Sequence, residues 1–97
     1  MIDHIVFVKF AETTAQAQME EVVSRFKALR GHLSGIVDLQ AGINFSEKNQ
    51  GYQVILTVRF EDRAALEAYG PNPHHQAVAA FIREVGRLDS IVVDFEL

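Results

Sequence analysis

The chain predicts one α+β domain over residues 1–97, in the order strand, helix, strand, strand, broken helix, strand, with a four-stranded antiparallel sheet. Three observations carry that reading. Four segments alternate with a period of two or run nearly continuously apolar, namely 2–10, 37–45, 52–60 and 91–97. Two intervening segments carry apolar residues at steps of three and four. A length of 97 residues with 48% hydrophobic content suits a single buried core and argues against disorder.

The first strand places Ile2, His4, Val6, Val8 and Phe10 on one face and Ile5 and Phe7 on the other, the pattern of an interior strand. Thr13 with Gln16 has the spacing of a capping box. The stripe Ala15, Met19, Val22, Phe26, Leu29 follows, and Gly31 is a plausible stop. The second strand sets Val37, Leu39, Ala41, Ile43 and Phe45 against polar residues. After a polar hairpin loop, the third puts Tyr52, Val54, Leu56, Val58 and Phe60 on one face. Asp62 is the expected N-cap of a short helix through Tyr69, ended by Gly70-Pro71. Asn72 is expected to cap the last helix with Pro73 at its first position, and Val78, Phe81, Ile82 and Val85 to form its buried stripe before Gly86. The final strand alternates Ile91, Val93, Phe95 and Leu97 against Val92, Asp94 and Glu96.

A βαββαβ order is the ferredoxin-like arrangement, with both helices on one face of the sheet. The strands nevertheless offer apolar residues in both directions. A second copy facing the open side would bury them, so the sequence predicts a homodimer, a dimeric α/β barrel.

Composition removes several functional classes. Net charge is −4 and the nine Lys and Arg are scattered singly, so neither nucleic acid nor an anionic membrane surface is an expected partner. No cysteine is present, which excludes disulfides, thiolate nucleophiles and zinc–thiolate sites and fits a reducing cytoplasm. No apolar run is long enough to span a bilayer, and Met1-Ile2-Asp3-His4 does not read as a signal peptide. No Gly-x-Gly-x-x-Gly supports a nucleotide cofactor, and none is expected.

The segment from Tyr69 to His75 concentrates the chemistry: a phenol and two imidazoles at a junction of helices, in a chain with two Tyr and four His. Taken with Ile2-Asp3-His4-Ile5-Val6-Phe7, the strand from Gly51-Tyr52 to Val58-Arg59-Phe60, Leu66-Glu67-Ala68-Tyr69 followed by Pro73-His74-His75-Gln76, and Val92-Val93-Asp94-Phe95, it resembles the stress-responsive dimeric α/β-barrel (Dabb) family over essentially the whole chain. Most members have no assigned reaction. In one that has, the plant olivetolic acid cyclase, a turn histidine is the base for an aldol closure, a last-strand carboxylate orients it and a tyrosine binds substrate. The resemblance implies those roles for His75, Asp94 and Tyr69, with His4 as a further substrate-binding residue. Asn72 stands where the family's turn has its first histidine.

The residues themselves leave alternatives open. At about 100° per residue His74 lies nearer the centre of the apolar stripe than His75. Asp94 shares a face with Val92 and needs a donor there, and His75 is a suitable one, orienting a base or simply tying helix to sheet. Tyr69 is equally a helix plug, His4 a core residue and His32 a surface residue near a helix C-terminus. Convergence of His4, His74 and His75 with Asp94 or Asp3 on a metal has little support, since no His-Glu-x-x-His occurs, and no metal is expected. The sequence therefore predicts a homodimer with a small apolar pocket for an apolar or aromatic organic ligand. Three variants stand beside that: a polyketide cyclase-like lyase with His75 as base, a non-catalytic stress or stability protein, and a ligand sensor. Whether it is an enzyme stays open.

Overall fold

Strands β1 (Ile2–Phe10), β2 (Ile36–Ile43), β3 (Tyr52–Phe60) and β4 (Arg87–Glu96) lie in the order β2-β3-β1-β4 in the computed structural model, which describes residues 1–97. Every pairing is antiparallel. Helices α1 (Gln16–Ala28), α2 (Arg63–Tyr69) and α3 (Pro73–Glu84) complete the ferredoxin-like βαββαβ chain, with a single 3₁₀ turn, Leu29–Gly31, after α1. No helix is long and apolar enough to cross a membrane.

The core forms where the inward faces of β1 and β3 meet the helices. Val8, Phe10, Val54, Leu56, Val58 and Phe60 are buried from the sheet side, and Val22, Phe26, Leu29, Val78 and Ile82 from the helical side. Local chemistry sets the helix ends as expected after Tyr52. The Asp62 carboxylate accepts from Ala65 N at 2.9 Å, and the Asn72 side-chain carbonyl accepts from His74 N at 2.9 Å with Pro73 first in α3. Gly86, at φ +116°, turns the chain from α3 into β4 in a conformation few side chains tolerate.

Three expectations are corrected. Thr13 and Gln16 make no capping box: α1 begins after Ala15, whose N–H donates to Gln18 Oε1 at 2.8 Å, while Thr14 donates its hydroxyl to Val85 O at 2.6 Å and straps β1's exit to the end of α3. A shift in the β2–β3 register between Ile36 and Asp38 turns Ile36 inward instead of Val37, and Phe45 lies beyond the strand, 97% exposed. A second irregularity pairs Lys9 with Tyr52, so the Tyr52 hydroxyl donates to Asp89 Oδ2 at 2.8 Å under the Lys9 ammonium instead of joining Val54 in the core.

β4 begins four residues earlier than its alternation suggests and is the least covered element. Only Ser90 is even half-buried. The strand lies at the sheet edge, and α1 packs over β2 and β3 instead. On the outward side, the register sets Ile91 beside Phe7 and Val93 beside Ile5, with Phe7 beside Ile55, so the helix-free face carries a contiguous apolar patch. The Asp3–Arg59 ion pair borders it, with contacts of 2.8 and 3.1 Å that hold the Asp3 carboxyl below the usual carboxylate range.

Candidate functional site

Between the inward side of β1 and β4 and helices α2 and α3 lies a cavity of about 300 Å³. Its walls are mainly aliphatic, with Val6, Val8, Leu56, Leu66 and Ile82 among them. Polar character enters at few points: His4, Tyr69, His75, Ser90 and Arg87. That ratio of apolar wall to placed polar groups is usual for a small-molecule site.

Tyr69 closes α2 because Gly70-Pro71 ends the helix there, and its ring turns into the core, 4% exposed. It lies against three aromatic neighbours, His75 at 4.2 Å, Phe60 at 5.2 Å and His4 at 5.6 Å between ring centroids. Its hydroxyl is buried without any hydrogen-bond partner, and it is the one buried side-chain polar atom in the protein so placed. Burial pushes the phenol well above the usual tyrosine range. The group therefore stays protonated at neutral pH, a donor without an acceptor.

His75 stands three residues before Val78 and seven before Ile82, on the buried side of α3. Its Nδ1 donates to the Gly70 carbonyl at 2.9 Å, since a carbonyl can only accept. In the neutral ring that fixes the proton on Nδ1 and leaves the Nε2 lone pair free. His74, nearer the stripe's centre by angle alone, turns outward and stacks on His32 with centroids 4.2 Å apart.

Asp94 does not meet His75. It is the cross-strand neighbour of His4, and its Oδ1 lies 2.5 Å from His4 Nδ1. The β1–β4 register decides this, because inward-pointing residues directly opposite in antiparallel strands bring their side chains together. The His4 side chain is 11% exposed and that of Asp94 41%, so the bond links the cavity wall to an exposed carboxylate. Asp94 itself faces a neighbouring groove with Arg63 and Glu96. His4 and His75 thus share one pattern, Nδ1 engaged and Nε2 without a hydrogen bond, on either side of Tyr69. No three His, Cys, Asp or Glu side chains converge as a metal site would require.

The structure brings three of the four candidate residues, His4, Tyr69 and His75, to one cavity and holds Asp94 behind His4. Arg87 and Ser90 were not anticipated. Alternation already puts Ser90 on the face of Val92 and Asp94, whereas Arg87 reaches it through an irregularity between Lys9 and Phe10 that no local pattern reveals.

Fold and site together define a ferredoxin-like α+β protein with a small, sparsely polar cavity under its helices. Solved structures share that architecture. A dimeric ferredoxin-like protein of unknown function from Jannaschia sp. CCS1 is 27% identical, with a TM-score of 0.81 over 99% of this chain and 98% of that one. Another dimeric ferredoxin-like protein of unknown function, from Thermobifida fusca, is 22% identical, with a TM-score of 0.87 over 99% of this chain and 90% of that one. The hydroxynitrile lyase of Passiflora edulis is 14% identical, with a TM-score of 0.84 over 99% of this chain and 92% of that one, a likeness of fold alone. A comparison with curated proteins returned no match. The model of the stress responsive A/B barrel domain, Dabb, matches residues 2–97, and the chain belongs to that family.

Proposed function

We propose that this protein is a homodimer in which each protomer binds a small, largely apolar carbonyl compound in the cavity beside Tyr69 and moves a proton next to that carbonyl. The single observation that carries this reading is the unpartnered, buried hydroxyl of Tyr69, a residue whose ring packs against two imidazoles and which lines a cavity of about 300 Å³. Leaving such a group unsatisfied costs roughly 1–3 kcal/mol, which a ligand oxygen would recover.

The roles follow from the hydrogen bonds. Tyr69 donates to the carbonyl oxygen and to the enolate as its charge develops. His75, with its Nδ1 proton committed to Gly70, takes the carbon-bound proton at Nε2. His4, held by Asp94, carries the second proton transfer that a cyclase- or lyase-type reaction needs. No cofactor takes part in this scheme.

Dimerisation is supported by the apolar outward face of β1, β3 and β4 and by the dimeric state of similar ferredoxin-like proteins. Absence of cysteine suits a reducing compartment such as the cytoplasm.

Deuterium uptake tests the chemistry without a known substrate. Acetophenone, phenylacetone and a short β-keto ester are incubated in D₂O with the protein, and exchange at the carbon next to the carbonyl is followed by proton NMR. Exchange should exceed buffer and fall about 10²–10⁴-fold in His75→Ala. Exchange no faster than buffer for every compound, or full activity in His75→Ala, refutes the proton-transfer role. One observation favours a second, non-catalytic reading: the His75–Gly70 bond also ties the start of α3 to the end of α2. Under it, His75→Ala lowers the melting temperature and changes no rate.

A further inference from the structure

Arg87 adds a charge to the cavity that the scheme above does not use. It is the only cationic side chain on the lining besides the titratable imidazoles, and no Asp or Glu shares that lining. The chain's other arginines are mostly neutralised: Arg25 by Glu21, Arg30 by Asp38, Arg59 by Asp3 and Arg63 by Glu96. Arg87 enters no ion pair or side-chain hydrogen bond. The nearest carboxylate along its strand, Asp89, already accepts from the Tyr52 hydroxyl at 2.8 Å and belongs to the outward face with Lys9. The irregularity between Lys9 and Phe10 sets Arg87 opposite Phe10, whose side chain is buried, and so turns the guanidinium to the cavity side.

A guanidinium at a mostly aliphatic cavity, whose charge reaches the exposed Asp89 carboxylate without a direct ion pair, is matched by a planar anion on an apolar body. We propose that Arg87 is a specificity-determining residue and that the ligand is a small apolar or aromatic carboxylate, held by its carboxylate at Arg87 while its apolar body lies along the aliphatic walls and its carbonyl reaches Tyr69. This rests on the cavity being a ligand site, and it narrows the ligand from any small carbonyl compound to one carrying an acidic group. Ser90, half-buried on the same strand face, supplies a hydroxyl within the same lining.

Calorimetric titration of the intact protein at low ionic strength tests this with two probes of equal size, 3-phenylpropionate and its neutral isostere 3-phenylpropanamide. The carboxylate should bind about tenfold or more tightly than the amide, as a charge-assisted bidentate contact implies. Arg87→Gln should erase that preference while leaving amide affinity within about twofold, and Arg87→Lys should restore part of it. Arg87 is exposed, so both variants should fold, and unchanged far-UV circular dichroism verifies it. Equal affinity for the two probes in the natural protein, or a preference that survives Arg87→Gln, overturns the assignment of Arg87 and leaves the ligand site standing. Failure of both probes to bind overturns the ligand site and this inference together.

Discussion

The Asp94 carboxylate lies 2.5 Å from Nδ1 of His4, its neighbour across the β1–β4 ladder, while His75 gives its own Nδ1 proton to the backbone carbonyl of Gly70. Two histidines from opposite layers of the fold thus present the same free nitrogen, each fixed by a different partner. Asp94→Asn should disturb His4 and leave His75 as it is. Long-range nitrogen–proton correlation spectra of the imidazoles read this directly: loss of the Nδ1–H pattern at His4 alone is expected, with a stability loss of about 1 kcal/mol, given the exposure of the carboxylate. A change confined to His75 would contradict the pairing.

Tyr69→Phe removes a buried donor that has no acceptor in the protein. Apolar replacement of such a group should raise the unfolding free energy of ligand-free protein by about 1 kcal/mol, seen as a higher urea midpoint at unchanged slope. The same variant should bind a carbonyl-containing probe more weakly. Stability gained together with affinity lost distinguishes a ligand-binding hydroxyl from a mere plug.

Alkaline pH should destabilise the fold through the same residue. Below the ordinary tyrosine value of 10.0 the Tyr69 phenol is protonated in both folded and unfolded chains and contributes no pH dependence. Above it the unfolded chain ionises while burial keeps the folded phenol protonated, so stability falls by up to about 1.4 kcal/mol per pH unit. Tyr52, raised chiefly by its bond to Asp89, adds a contribution of the same sign. Urea midpoints measured from pH 9 upward should decline, and Tyr69→Phe should flatten the decline without abolishing it.

Val93→Asp places a carboxylate in the apolar patch on the helix-free face. Light scattering should find the natural protein at twice the protomer's 10.9 kDa and the variant shifted towards 10.9 kDa. An unchanged assembly in the variant would place the contact elsewhere.

Gly86→Ala should destabilise by roughly 1–3 kcal/mol in chemical denaturation, since φ is +116° and an added Cβ would lie 2.5 Å from the Thr14 hydroxyl oxygen. Thr14→Val should remove the strap to Val85 and weaken the same junction.

Local rules made the fold legible. Asp62 and Asn72 cap the helices that their side chains and the following residues indicate, and the stripe of Val78 and Ile82 is buried as its spacing requires. Tyr69, His75 and His4 line one cavity, although helical angle alone favoured His74 over His75. What eluded the sequence has a common physical origin: pairing between distant segments. The inward turn of Ile36, the outward turn of Tyr52 and the position of Arg87 all depend on strand irregularities, and each shifts a period-two pattern onto the other face. Asp94 finds His4 through register, and the carbonyl that holds His75 belongs to the backbone, which side-chain identity does not disclose.

An edge strand as bare as β4, with Val92 55% exposed on one side and Ile91 and Val93 each 41% exposed on the other, would under the proposed dimer tie the protein's endurance to its abundance. If its cover is another copy, mass action governs that cover: dilution strips it and crowding of like molecules restores it. The melting point should then climb with protein concentration, and a cell that makes little of this chain would hold it in a softer state than one that makes much.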